Sequence, residues 1–188
     1  MPFSICHNSP SSQNCTQNMY LAVYSLVIDM DFKIRKMKET EYPLLKDFLY
    51  EAIFVPDGVE LPPKSIVDTP ELQVYISGFG SDPDDIALIA EADHKAVGAV
   101  WVRIMNDYGH IDDETPSFAI SLYKEYRGLG IGTAMMKAML AVLKGRGYRQ
   151  ASLAVQKANY AVKMYRKVGF EIVDENDEEY IMVNRLVR

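Results

Sequence analysis

Apolar and charged residues follow a regular pattern from Phe32 onward. Phe32 to Met37 alternates between the two classes, as a strand with one buried face does. Between Thr40 and Phe54 the apolar residues recur at helical spacing, and Thr40 can cap that helix. A proline-rich loop follows, and a second helix is predicted from about Glu71 to Ser77. The region up to Ser77 is therefore predicted as one strand followed by two helices.

Two apolar runs come next, and the residues between them suit a tight turn. Ile86 to Glu91 and Ala96 to Met105 are predicted as strands, joined by Ala92-Asp93-His94-Lys95. The remaining elements are predicted as the strand Ser117 to Tyr123, a helix from about Gly130 to Lys144, the strand Ala151 to Gln156, the helix Asn159 to Val168, and the strands Phe170 to Val173 and Tyr180 to Leu186. Antiparallel strands followed by a strand-helix-strand crossover predict a mixed α/β, α+β-like layer architecture.

Residues 1–29 differ from the rest of the chain. The stretch to Met19 contains no Lys, Arg, Asp or Glu, and Met19 to Ile28 is apolar. No basic residue precedes this apolar run, which argues against a secretory signal. We predict that residues 1–29 are an N-terminal extension, either a flexible tail with an added edge strand or sequence upstream of a natural start at Met30. Residues 30–188 are predicted to form a single domain.

Composition narrows the class of protein. Apolar residues make up 48% of the chain and charged residues 24%, a balance typical of globular proteins. No run of about 18 apolar residues is present, so no membrane span is predicted. Cys6 and Cys15 belong to no CxxC or Cys/His set. The sequence therefore predicts no metal site and indicates a reduced, cytoplasmic protein.

The net charge of −6 conceals a strong asymmetry. The segment from Lys124 to Lys167 has ten basic residues and a single acidic one, Glu125, for a net charge of 10 − 1 = +9. The other residues carry 10 basic and 25 acidic groups, a net of −15. A basic segment inside an acidic protein favours a compact polyanion over a long nucleic acid as its ligand. A set of solvated helix faces is the alternative explanation.

A glycine-rich turn joins the predicted strand Ser117 to Tyr123 to the helix after it. Its residues are Arg127, Gly128, Leu129, Gly130, Ile131 and Gly132. N–H groups at a helix start form an anion cradle, and the helix dipole adds about half a positive charge there. Glycines let the backbone approach phosphate oxygens, and Arg127 can pair with a phosphate from the side. The glycine spacing fits neither the Rossmann nor the Walker A pattern.

A second motif lies on the helix that Asn159 caps and Gly169 ends. Tyr165 lies on its apolar face, and spacing alone therefore favours a core aromatic. Together the two motifs resemble the GNAT superfamily of acyl-CoA N-acyltransferases, in the Arg-x-x-Gly-x-Gly turn after a strand and in the downstream Asn159, Tyr165 and Gly169-Phe170. The resemblance implies a GNAT-type fold, with a central, mostly antiparallel twisted sheet flanked by helices.

The resemblance also implies a reaction and a set of roles. It implies direct transfer of an acetyl group from acetyl-CoA to a primary amine of a small molecule or peptide. The CoA pyrophosphate would bind the turn, the pantetheine arm would follow the strand and contact Asn159, and the N–H near Leu122 would polarise the thioester carbonyl. Tyr165 would protonate the departing sulfur. The implied cofactor-binding residues are Leu122, Arg127, Gly128, Leu129, Gly130, Ile131, Gly132, Thr133 and Asn159.

The acceptor amine must lose a proton, so a base is expected. Candidates lie in the loop before Ser117: Glu114, closest to the strand, is the expected base. His110 is next, because histidine as a residue type has a reference pKa of about 6.5. Alternatively, Asp112, Asp113 and their neighbours form a solvated acidic loop or bind a cationic acceptor without moving protons. For the whole chain, the alternative is a non-catalytic acyl-CoA-binding or sensor module. No nucleic-acid or membrane partner is expected, and the chain could form a homodimer.

Overall fold

The computed structural model describes residues 31–56 and 58–186. The predicted extension, residues 1–29, therefore lies outside the described residues. The strands are β1 (Phe32–Lys36), β2 (Ile86–Ala92), β3 (Lys95–Arg103), β4 (Ser117–Leu122), β5 (Gln150–Gln156), β6 (Glu171–Glu175) and β7 (Glu179–Arg185). The α-helices are α1 (Leu45–Ala52), α2 (Pro70–Gln73), α3 (Ile131–Arg146) and α4 (Ala161–Lys167), and short 3-10 helices span Glu39–Leu44, Lys64–Asp68 and Lys124–Tyr126.

The seven strands form one sheet in the order β1-β2-β3-β4-β5-β7-β6. Every neighbouring pair is antiparallel except β4 and β5, which are parallel. The β2–β3 hairpin turns at Asp93 and His94, whose φ angles of 48° and 61° match a two-residue turn of the type that strand twist favours. The predictions of a mixed α/β fold and of this hairpin are confirmed.

The helices before β2 differ from their predicted form. The first helical segment begins as a 3-10 helix at Glu39 and becomes an α-helix only at Leu45. Pro43 lacks an N–H and so favours this irregular start. The prediction that Thr40 caps this helix is also wrong. The N-cap residue is Lys38, and its N–H donates to the Glu41 carboxylate at 2.8 Å. The second helix is shorter than the predicted one from Glu71 to Ser77. It ends at Gln73, and turns follow it.

The core lies on both faces of β2 and β3, which are buried along most of their length. One face packs against α1, where Phe48 and Leu49 meet Trp101 in a buried apolar cluster. Helix α3 packs against β1, β2 and β3 as well, so helices cover both faces of these strands. Trp101 is fully buried, as its apolar surroundings in the sequence predict. None of the helices in the described residues is long and apolar enough to cross a membrane.

The sheet opens between β4 and β5. Ser117 and Ser152 pair at the start of the two strands, and the Ser152 N–H donates to the Pro116 carbonyl at 3.0 Å. Beyond this point the two strands do not pair, although β4 remains paired with β3 as far as Leu122 and β5 remains paired with β7 as far as Gln156. The result is a gap in the middle of the sheet, bordered on each side by a strand edge without a strand partner in the described part of the chain.

Candidate active site

Two adjoining cavities open at the gap between β4 and β5, each with a volume of about 340 Å³. The first cavity lies beside the glycine turn, the start of α3 and the start of α4. The second cavity lies between α1, the region of α2, and the strands β4 and β5. They meet along a shared wall formed by Ala52, Ile53, Phe54, Ile120, Asn159 and Tyr165. A ligand in one cavity can therefore approach a ligand in the other.

The glycine turn supplies backbone donors to the first cavity. Gly128 and Gly130 have φ angles of 76° and 82°, a left-handed conformation that favours glycine, and a Cβ on either would meet no atom within 4 Å. The space above the turn is thus open. Helix α3 makes its first hydrogen bond from Ala134 N–H to the Gly130 carbonyl at 3.1 Å, so the N–H groups before it have no partner in the helix.

The other predicted residues of the turn take different positions. Gly132 and Thr133 line the first cavity with Gly128 and Gly130. Ile131 is instead buried in the core, and its side chain anchors the start of the helix. Leu129 does not line the cavity and is half-buried. Only the backbone N–H groups of these two residues can therefore serve an anion at the turn.

Arg127 ties the turn to the end of β4 and to α1. Its Nε donates to the Leu122 carbonyl at 2.9 Å, and its Nη2 pairs with the Glu51 carboxylate at 2.8 Å. The side chain lines the first cavity and is 35% exposed. Its Nη1 has no hydrogen-bond partner among the described residues and can donate to an anion in the cavity. The sequence predicted that Arg127 pairs with a phosphate, but it did not predict the bonds of Arg127 to Leu122 and Glu51.

The edge of β4 presents backbone donors to the gap. The Tyr123 N–H donates to the Val97 carbonyl at 3.0 Å, on the β3 side. Because backbone groups alternate between the two edges of a strand, the N–H and C=O groups of Ile120 and Leu122 point into the gap. The bond from Arg127 to the Leu122 carbonyl agrees with this orientation. The Leu122 N–H is thus available to a ligand at the position that the sequence predicted.

Tyr165 lies where the two cavities meet. Its side chain is 9% exposed, and its ring packs edge-on against Phe170 with the centroids 6.1 Å apart. Burial, together with the neighbouring Tyr160, raises the pKa of the Tyr165 phenol, so it stays protonated near neutral pH. At the start of α4 the Asn159 Oδ1 accepts from the Ala161 N–H at 2.9 Å, although Tyr160 and not Asn159 is the N-cap residue. Tyr165 is therefore both a packed aromatic and a wall of both cavities.

The predicted bases, Glu114 and His110, lie outside the two cavities at the gap. The Glu114 side chain is 76% exposed and pairs with Arg149 at 2.6 Å, beside a separate cavity of about 660 Å³. The Asp112 carboxylate accepts from Thr115 Oγ1 at 2.6 Å and fixes the turn of this loop. His110 Nδ1 bonds the Met105 carbonyl at 3.0 Å. None of Glu114, Asp112 and His110 lines either of the two cavities at the gap, because their loop folds toward the end of α3.

The second cavity has polar groups in and behind its wall, and among them sequence reasoning missed Asp107 and Glu179. Tyr75 lines it, and its hydroxyl donates to Asp107 Oδ2 at 3.0 Å, which also accepts from Ser117 Oγ at 2.7 Å. Burial raises the pKa of Asp107. Glu179 lines the same cavity, and burial, followed by the charges of Glu178 and Asp107, raises its pKa. In the sequence, Glu179 is one of several consecutive acidic residues, and no spacing distinguishes it.

Residues 49–170 match the Acetyltransferase (GNAT) family. The chain belongs to the GNAT family. It is similar to the probable N-acetyltransferase camello of Xenopus tropicalis (34% identity over 86 residues, 44% of this chain and 37% of that protein). It is also similar to the [ribosomal protein bS18]-alanine N-acetyltransferase of Haemophilus influenzae (32% identity over 68 residues, 36% of this chain and 47% of that protein). The chain thus matches less than half the length of each relative.

The fold is shared with solved structures. The PaiA N-acetyltransferase of Thermoplasma acidophilum, solved in complex with coenzyme A, has a TM-score of 0.62 and 21% identity over 83% of this chain and 99% of that one. An N-acetyltransferase from Staphylococcus aureus Mu50 has a TM-score of 0.63 and 15% identity over 84% of this chain and 99% of that one. The predicted resemblance to the GNAT family and the predicted GNAT-type fold are confirmed.

Within this GNAT fold, the predicted site residues divide into two groups. Most of the expected cofactor-binding residues border the first cavity, together with Tyr165. Glu114 is separated from them at the surface. The described residues contain no group of three or more His, Cys, Asp or Glu side chains that could hold a metal ion. The chemical groups at the gap are the backbone donors of the turn and of β4, the Tyr165 phenol and the polar side chains of the second cavity.

Proposed function

We propose that this protein transfers an acetyl group from acetyl-CoA directly to a primary amine. The observation that carries the proposal is the junction of the two cavities at Tyr165 and Ile120. The PaiA structure with coenzyme A supports the choice of cosubstrate, since it shares this fold. The Haemophilus relative is named for acetylating an alanine of a ribosomal protein, which supports an amine acceptor.

In this proposal the first cavity holds the CoA end of the cosubstrate. The pyrophosphate is bound by N–H groups from Gly128 to Thr133 and by Nη1 of Arg127. The 16-residue helix α3 adds its positive end at the same point. The open space above Gly128 and Gly130 leaves room for phosphate oxygens. The +9 charge of residues 124–167 favours the approach of such a polyanion.

The edge of β4 holds the pantetheine arm, as a sheet edge binds an extended peptide. Its donors at the gap are the N–H groups of Ile120 and Leu122, and Asn159 lies opposite on the shared wall. Acetyl-CoA supplies an activated acyl group as its thioester. The Leu122 N–H donates to the thioester oxygen and stabilises negative charge there, while Tyr165 donates its phenolic proton to the leaving sulfur.

Transfer is proposed to be direct. A covalent acyl-enzyme would need a nucleophile at the junction, and a cysteine is the usual choice in such a route. The only cysteines of the chain are Cys6 and Cys15, and no cysteine lines either cavity among the described residues. The predictions of a cytoplasmic location, of no nucleic-acid or membrane partner and of a homodimer stay predictions.

The alternative is an acyl-CoA sensor on the same fold, which needs the first cavity only. The presence of a second cavity that shares Tyr165 favours the enzyme. Two measurements separate the two functions: calorimetric titration with CoA, and thiol release from acetyl-CoA in the presence of a panel of primary amines. An enzyme binds CoA and releases thiol only when an amine is present. CoA binding without release in any mixture supports the sensor, and failure to bind CoA contradicts both.

A further inference from the structure

The lining of the second cavity is mostly apolar. Its apolar side chains come from α1, the loop after it, α2, β4 and β5, and they include Leu49, Ile66, Leu72, Phe118 and Leu153. Among the described residues that line this cavity, Glu179 is the one Asp, Glu, Lys, Arg or His. The other polar side chains there are uncharged at neutral pH: Tyr75, Tyr108, Gln156, Asn159 and Tyr165. A cationic group that enters the cavity therefore has a single ionised partner.

We propose that Glu179 binds the ammonium group of the acceptor and takes its proton, and that the acceptor is a primary amine attached to an apolar group. This inference rests on the proposed acetyl transfer. It replaces Glu114 by a carboxylate that lines the cavity next to Tyr165. The apolar walls select the body of the acceptor, and Glu179 selects its charged end.

The position of Glu179 is fixed by its backbone. It begins β7 and pairs with Gln156 at the end of β5. Its N–H donates to Asn176 Oδ1 at 2.7 Å, and the carbonyl of the preceding Glu178 accepts from the Lys157 N–H at 2.8 Å. The hairpin between β6 and β7 is thus anchored on both sides. A residue held in this way can keep its carboxylate at one place in the cavity wall.

The electrostatic surroundings of Glu179 suit a base. Burial comes first among the causes that raise its pKa, followed by the negative charges of Glu178 and Asp107. Tyr75 and Tyr108 line the same cavity, and neither brings a positive charge. The nearby Lys157 amine is bound instead to Glu175 at 3.1 Å. A carboxylate with a raised pKa accepts a proton from an ammonium group more readily than an ordinary one.

Asp107 supports this site without lining the cavity. Its Oδ2 holds the hydroxyl groups of Tyr75 and Ser117, while its buried Oδ1 has no hydrogen-bond partner among the described residues. It therefore positions Tyr75 in the wall of the second cavity. Its negative charge adds to the potential that attracts a cation to Glu179.

Each proton that moves in the proposed transfer has a donor and an acceptor. The ammonium group gives one proton to Glu179, directly or through one water, and Glu179 later returns it to solvent. The neutral amine then forms a C–N bond to the acetyl carbon, and the C–S bond breaks. The sulfur takes the Tyr165 proton, and the nitrogen gives its second proton to Tyr165. The products are the acetamide, the free thiol of CoA and one proton in solvent.

The first test compares Glu179→Gln with Asp177→Asn. Asp177 lies on the same hairpin, is exposed, lines neither cavity and provides the matched control. We expect Glu179→Gln to lower kcat/KM for the amine by about 100-fold or more, without loss of CoA affinity. Asp177→Asn should stay within about twofold of wild type, as most surface substitutions do. Glu179→Asp, which keeps the carboxylate, should recover part of the loss.

The pH profile separates a base from a residue that only supports the fold. Wild-type kcat/KM should rise with pH as Glu179 ionises, and Glu179→Gln should lose this limb. An acceptor whose own pKa lies below the assay pH needs no base. With 2,2,2-trifluoroethylamine, the defect of Glu179→Gln should therefore shrink to less than about tenfold. An equal defect with both kinds of amine, or a variant as active as wild type, would overturn the role of Glu179.

The substrate class is tested with matched acceptors. 2-Phenylethylamine should be acetylated at a higher kcat/KM than ethanolamine, and a tripeptide beginning with leucine at a higher value than one beginning with serine. The ratio between 2-phenylethylamine and the leucine peptide distinguishes a small amine from a peptide. Spermidine should be poor, because its further charges would be desolvated without a partner. Transfer that favours spermidine or ethanolamine would overturn this inference while the proposed function stands, whereas failure to bind CoA would contradict the proposed function itself.

Discussion

The Arg127 Nε donates to the Leu122 carbonyl oxygen at 2.9 Å. This bond joins the glycine turn, which presents donors to an anion, to the end of β4, which presents donors to the gap. The same guanidinium pairs with Glu51 near the C-terminal end of α1. One side chain therefore sets the position of the turn relative to two other elements. In the proposed function, these bonds hold the phosphate-binding turn and the acyl-transfer edge of β4 at a fixed separation.

Replacement of Arg127 tests whether its contacts with Leu122 and Glu51 support CoA binding. Arg127→Glu should weaken CoA binding by about tenfold or more, because it removes charge-assisted bonds and places a carboxylate beside Glu51 and the phosphates. Calorimetric titration with CoA measures the change. Arg149→Glu is the control: Arg149 pairs with Glu114 at the exposed surface, and its loss should leave CoA affinity unchanged. CoA affinity of Arg127→Glu equal to that of wild type would refute the assignment of the turn.

Replacement of Tyr165 tests the acid. Tyr165→Phe keeps the ring packed against Phe170 and removes only the hydroxyl group. We expect kcat to fall by about 100-fold while the affinity for CoA and the melting temperature change little. Steady-state kinetics and thermal unfolding of the same preparation separate these effects. Wild-type turnover would remove Tyr165 from the mechanism, and a large fall in stability would make it a structural residue.

Gly98 tests the placement of the β4 edge. It pairs with Leu122, and a Cβ on it would lie 2.8 Å from the Ser121 carbonyl oxygen and collide with the Leu122 side chain. Gly98→Ala should therefore lower the free energy of unfolding by about 1–3 kcal/mol and weaken CoA binding. Gly145→Ala is the matched control, because a Cβ there meets no atom within 4 Å. It should raise helix stability by about 0.5–1 kcal/mol. Equal effects of the two substitutions on CoA binding would contradict the proposed role of the β4 edge.

Glu41 predicts a pH dependence of stability. Hydrogen bonds from Arg35 at 2.7 and 2.8 Å, the largest cause, lower the pKa of Glu41 to about 2. The carboxylate therefore stabilises the fold above the pKa of the unfolded chain, about 4.3, and this contribution is lost as pH falls toward 2. Denaturant unfolding should show wild type more stable than Glu41→Gln at neutral pH. The difference should shrink between about pH 4.5 and 2, and a constant difference would contradict the assignment.

The parts of the site that are local in sequence could be predicted. The turn from Arg127 to Gly132 contains the glycines that its conformation needs and leads directly into a helix. Asn159 accepts a hydrogen bond from the first residue of α4. Tyr165 could be placed on an apolar face, although its position between two cavities depends on β4 and β5, which are far apart in sequence. The gap itself could not be predicted, because it arises from the loss of pairing beyond Ser117 and Ser152.

The place of Glu179 in the cavity wall could not be predicted for a similar reason. Glu114 precedes β4 directly in the sequence, but its loop turns toward Arg149 and leaves it at the surface. Glu179 lies 14 residues after Tyr165, and only the pairing of β7 with β5 brings it to the second cavity. Its neighbours Asp177 and Glu178 give the same local signal. Proximity along the chain pointed to Glu114, whereas tertiary pairing places Glu179 in the wall of the second cavity.

In the proposed function, acetyl-CoA and an amine react at the junction of the two cavities. The most direct measurement follows the thiol of CoA and the acetylated amine in the same reaction, by thiol assay and mass spectrometry, with 2-phenylethylamine as acceptor. We expect equal amounts of thiol and acetamide from wild type and a rate at least about 100-fold lower from Tyr165→Phe. Thiol released without acetamide, or no amine-dependent release from a protein that binds CoA, would contradict the proposed function.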